Sequence, residues 1–121
     1  MRRRDVMKGI AAAALAGGAR KAAAQPKGER LTVKGEVVDM WCYLEGGDRG
    51  PAKRECATAC AKAGNPIGIV DAKGNLFVAA GLADHQPAQA MLIGKMNTDV
   101  TATGTVVKKG GVQMIYIDSV Q

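Results

Sequence analysis

The stretch LFVAAGLADHQPAQAMLIGKMNTDVTATGTVV, residues 76–107, changes its period twice, and that change decides the architecture. Leu76 to Ala80 is a short apolar run, which predicts a strand over 76–80. DHQPAQAMLIGKM then offers a short helix from about Pro87 to Lys95, with Pro87 at a first-turn position, where its missing N–H costs nothing. The β-branched run that follows predicts a strand over 99–107. Working outward, PIGIVDAKGN places a partner strand over 67–71, joined to 76–80 by a turn at Ala72–Asn75. Lys108-Lys109-Gly110-Gly111 joins 99–107 to a last strand over 112–120. Upstream, Leu31, Val33 and Val37 alternate with Thr32, Lys34 and Glu36, a period of two that predicts a first strand over 31–40. Gly35 interrupts its apolar face, so a bulge or strong bend is expected there.

The predicted order is strand, insertion, strand, strand, helix, strand, strand. A helix between the third and fourth of five strands resembles the OB-fold, a small Greek-key barrel with an early bent strand. The expected class is mainly β with short helices: a five-stranded OB-like barrel over 31–121, carrying a helical, cysteine-containing insertion at 41–65 between strands 1 and 2. A small open sandwich is the rival. OB-folds commonly bind nucleic acids or sugars by aromatic stacking. This chain has only four aromatic residues, and Phe77 and Tyr116 read as core or barrel wall.

Charge separates the two ends of the chain. Residues 1–24 hold six Lys/Arg and one acid; the remainder holds eleven Lys/Arg against ten Asp/Glu. The overall balance of +6 therefore sits almost entirely in the first 24 residues, and nothing beyond them offers a basic footprint for DNA or RNA. MRRRDVMKGIAAAALAGGARKAAAQP has a basic start, a short apolar run and small residues before Gln25, the three-part layout of a removable export signal. The apolar run is too short for a membrane anchor, so no integral span is expected. Arg3-Arg4, followed by Val6, Met7 and Lys8, resembles the twin-arginine motif, with Val6 where that pattern usually carries an aromatic. The resemblance implies export of an already folded chain, with cleavage near Ala24, a loose leader over 25–30 and a periplasmic place of work. The partner is then an unidentified periplasmic protein or small ligand.

Three cysteines, Cys42, Cys56 and Cys60, are the only ones in the chain, and all lie in the insertion. Gly46, Gly47 and Gly50 make its first half a loop. Pro51 opens a predicted helix over 51–63 that Gly64-Asn65-Pro66 stops. Cys56 and Cys60 are four apart and share a face of that helix, together with Ala52, Ala59 and Ala63, whose small side chains allow a close approach to the barrel. Cys42, expected at the end of the first strand, can then meet the pair.

Three chemistries compete for this cluster. An oxidising compartment favours a disulfide from Cys42 to Cys56 or Cys60, which leaves one free thiol. Three thiolates can instead converge on zinc, which prefers four ligands, or copper(I), which accepts three soft ones. His85, the chain's only histidine, is the candidate fourth ligand, with Asp39 and Tyr43 as supporting residues and Met40 as a soft contact or a core residue. A redox role needs an activated thiol, for which Lys53 and Arg54 are at hand. Haem lacks the C-x-x-C-H attachment motif, leaving only axial ligation by Cys or His. GEVVDMWCY…CATACAKAGNPIGIV, residues 35–70, resembles small exported bacterial proteins of unassigned role. One histidine permits no Ser-His-Asp arrangement, and no catalytic residues are nominated.

Overall fold

A computed structural model describes residues 26–121. The expected signal segment, with Arg3 and Arg4, lies outside the described residues. The elements in chain order are β1 (Glu29–Asp39), α1 (Met40–Gly46), a 3-10 turn (Pro51–Lys53), α2 (Arg54–Lys62), β2 (Ile67–Asp71) and β3 (Leu76–Gly81). There follow α3 (Gln89–Leu92), a second 3-10 turn (Ile93–Lys95), β4 (Asp99–Lys109) and β5 (Val112–Val120).

The strands close into a barrel in the order β1-β2-β3-β5-β4, so the OB-like architecture is the one observed and the open sandwich is not. Length makes the closure work. β1 is eleven residues, and its first part pairs with β4 from Glu29↔Val106 to Glu36↔Asp99. Its second part pairs with β2 from Gly35↔Asp71 to Asp39↔Ile67. One strand thus belongs to both walls. The parallel pairing of β3 with β5, Val78↔Met114 to Gly81↔Ile117, seals the far side. The strand begins earlier than its alternation predicts, because Glu29 and Arg30 pair with Val106 and Thr105.

Gly35 sits where β1 changes partners. Its register is continuous on both sides, so no bulge forms there. A Cβ at Gly35 would run into the Val70 carbonyl instead, which makes the glycine a close-approach residue. The register shift falls between Thr103 and Gly104, on the facing strand β4. Inside the barrel, Val33, Val37, Ile69, Phe77, Ile115 and Ile117 form a continuous core. Leu92 and Met96, from the segment between β3 and β4, are fully buried in the same cluster. Tyr116 is half-buried in the wall.

The β2–β3 turn is built on one carboxylate. Asp71 accepts from the Lys73 amide at 2.9 Å, the Asn75 amide at 2.8 Å and the Asn75 side chain at 2.9 Å. The hydrogen bonds from Asn75 hold its pKa below the usual 3.8. A depressed carboxylate stabilises the fold above its unfolded pKa and loses that contribution as pH falls through the folded one. Asp71→Ala should therefore lower the thermal midpoint at neutral pH and leave it unchanged in strong acid. A midpoint difference that persists below the folded pKa would contradict this role.

Candidate metal centre

The insertion departs from the sequence reading at its start. Residues 40–46 form a helix, not a loop, and Cys42 lies on it instead of ending β1. Asp39 closes the strand and caps the helix: its Oδ2 accepts the Cys42 amide at 3.1 Å. Gly47, at φ 72°, ends the helix in the left-handed region, and its amide bonds to the Tyr43 carbonyl at 2.8 Å. The polar cap and the terminal glycine were both readable. The aromatic, weakly helical residues between them hid the turn.

The second helix matches 51–63, entered through a 3-10 turn at Pro51. Its buried stripe is Ala57 and Ala61, not Ala52, Ala59 and Ala63, which are exposed. The helix is thus turned by one residue, about 100°, and the cysteines stand at the margin of the buried face. Cys60 is half-buried and Cys56 exposed.

Polar clamps fix this insertion to the barrel. The Gly50 amide donates to Glu36 Oε2 at 2.7 Å, and the Gly50 carbonyl accepts from Asn97 Nδ2 at 2.9 Å. Glu36 also pairs with Arg49 at 3.2 Å. At the other end, Gln89 Nε2 donates to the Asn65 carbonyl at 2.9 Å and the Ala61 carbonyl at 3.3 Å. Gln89 comes from the barrel's third helix, so α2 is held from both directions.

The outcome is convergence. The Sγ atoms of Cys42, Cys56 and Cys60 all lie within 4.8 Å of one another, and none of the three is in a disulfide. Around an ion with bonds of ~2.3 Å, tetrahedral sulfurs stand ~3.8 Å apart. A contraction of at most about one ångström between sulfurs, within the reach of side-chain rotation, would bring them to that spacing. The donor set is soft and preassembled, so the residues fit a thiophilic metal.

The electrostatics run against an activated nucleophile. The neighbouring Asp39 carboxylate, helped by burial, pushes the Cys42 thiol up to about 12. Burial and the charge of Asp39 also raise the Cys60 thiol. Redox cysteines need the opposite setting, with positive charge holding a thiolate. Arg54 donates its guanidinium to the Gly94 carbonyl at 3.1 Å, and Lys53, which shares a void with Cys42 and Cys56, does not offset the rise at Cys42.

His85 is not brought to the cluster. It lies in the turn before Pro87 at φ 60°, with its side chain almost wholly in solvent and its Nδ1 3.5 Å from Asp84. Tyr43 is half-buried, and its carbonyl serves the helix cap. Met40 packs over β2, since a Cβ at Gly68 would stand 3.2 Å from its Cγ. Asn97, which the sequence reading missed, is 5% exposed beside the cluster at φ 56°. Asparagine's tolerance of the left-handed region is its only local signal, and that marks a turn, not a site.

No helix among the described residues is long and apolar enough to cross a membrane. The chain matches no protein-family model, and neither a curated protein nor a solved structure is significantly similar to it.

Proposed function

We propose that this protein is an exported, periplasmic metal-binding module that holds one thiophilic ion, zinc or copper(I), on Cys42, Cys56 and Cys60. The observation that carries this reading is the mutual approach of all three sulfurs within 4.8 Å. A disulfide would engage two of them and leave the third idle, whereas an ion uses each. The folded export that the twin-arginine resemblance implies supports the same reading. A reducing cytoplasm keeps the thiols free while the metal loads, and the protein leaves with its site occupied.

Three thiolates from two helices would make the ion a cross-link inside the insertion. Its chemistry is that of a Lewis acid or a transferable soft cation, and no catalytic step is assigned. The test is a count of metal and thiols on protein recovered from the periplasm. One ion per chain, lost in Cys60→Ser, is the expected result. A stoichiometric disulfide without metal in the wild-type protein would remove the proposal.

A further inference from the structure

Only two buried side-chain oxygens among the described residues have no hydrogen-bond partner, Asp39 Oδ1 and Asn97 Oδ1. Both residues line one small void with Cys42 and Cys56, walled also by Asp48 and Lys53, too tight for a water molecule. Asp39 is 2% exposed and Asn97 is 5% exposed. The Asn97 amide cannot turn to offer its nitrogen, because Nδ2 is committed to the Gly50 carbonyl at 2.9 Å. Asp39 Oδ2 is likewise committed to the Cys42 amide at 3.1 Å. Each side chain therefore spends one polar atom on shaping the insertion and leaves its other oxygen unpaired.

An orphaned buried acceptor is costly, and two residues that carry one around a single void, where Lys53 gives neither a hydrogen bond, point to a missing positive partner. A water molecule does not fit there. A metal ion needs less room than a water molecule, because its bonds to oxygen are only ~2.0–2.2 Å long. We propose that Asp39 Oδ1 is the fourth ligand of the ion held by the three cysteines, reached from the void that Asp39 and Asn97 line with Cys42 and Cys56, with Cys60 closing from outside that lining.

The inference rests on the three-cysteine reading and sharpens it, because an oxygen donor selects the metal. A Cys3Asp set suits zinc, a borderline ion that takes four tetrahedral ligands including carboxylate. Copper(I) is served by the sulfurs alone and gains little from a hard oxygen. Asp39 therefore acts as the selectivity residue between the two metals. Its oxygens lie outside the 4.8 Å sulfur group. Ligation requires thiols and carboxylate to close on each other, and cobalt(II), a spectroscopic stand-in for zinc, reports whether they do.

The variant that isolates this role is Asp39→Ser. A serine still caps α1 through its hydroxyl but cannot place a second oxygen in the void. Reduced, metal-free protein of each form is titrated with Co(II), Zn(II) and Cu(I). The wild-type protein should give intense visible cobalt bands of a four-coordinate ion, together with sulfur-to-cobalt charge transfer. In Asp39→Ser the visible bands should shift, Zn(II) affinity should fall about tenfold or more, and Cu(I) affinity should stay within about threefold.

An unchanged cobalt spectrum with unchanged Zn(II) affinity would overturn the assignment. So would an equal loss of Cu(I), which would make Asp39 a helix cap and nothing more. Wild-type protein that binds Cu(I) but refuses Zn(II) and Co(II) overturns the assignment and leaves the three-thiol site standing. Failure of all three ions removes the underlying reading as well.

Discussion

Metal affinity should climb by up to about a thousandfold per pH unit across the neutral range, because the ion must displace thiol protons. The sign follows from the direction of the shifts. The Cys42 thiol is pushed up to about 12 by the Asp39 carboxylate, and Cys60 is raised by burial. Both are fully protonated at neutral pH, so binding releases their protons and is opposed by acid. If all three sulfurs ligate, the slope of log affinity against pH approaches three well below the thiol pKa values. Competition with a chromophoric chelator at several pH values measures it. A slope near one would mean a single thiolate ligand and would contradict the three-sulfur site. Chelators should accordingly strip the ion far more readily in mild acid.

Leu92→Ala should cost about 2–5 kcal/mol, the usual penalty for emptying a fully buried leucine site. Leu92 is the only fully buried residue of α3, and that helix is four residues long. Such a short helix has no stability of its own, so its place depends on what it buries. Ala88 and Met96, four residues to either side in the chain, belong to the same buried core cluster. The loss should appear in urea unfolding as a lower midpoint with an unchanged slope. Gln89, the residue that opens α3, ties α2 to the barrel, so the variant should also weaken metal binding. A loss below about 1 kcal/mol would mean that the segment repacks freely.

The barrel was legible because its signals are local. The β2 bounds, Ile67–Asp71, fall where the apolar run ends, and the hairpin turn at 72–75 carries a glycine and is anchored by the carboxylate just before it, Asp71. The site was half legible. Cysteines four apart on a helix announce a shared face, but the phase of that face was wrong by one residue. Burial was decided by the barrel surface against which Ala57 and Ala61 pack, not by the helix's own composition. His85 drew attention as the lone imidazole, although its proximity to the thiols depended on a loop path that spacing cannot encode. Asn97 was silent because its role is tertiary: one side-chain atom holds Gly50 across 47 positions of sequence.

The margin position of the cysteines has a further consequence for how the molecule comes apart. α2 offers the barrel little more than two alanine methyls, whereas the barrel itself rests on isoleucine, valine and leucine. Proteins open in cooperative units whose free energies follow such differences in buried apolar surface. The insertion, clamped through Gly50 and Gln89, should therefore open as a separate and weaker unit before the five strands part. An ion bound by the thiols would add to the energy of that opening, so the stability of the scaffold and the occupancy of the site could be tuned independently.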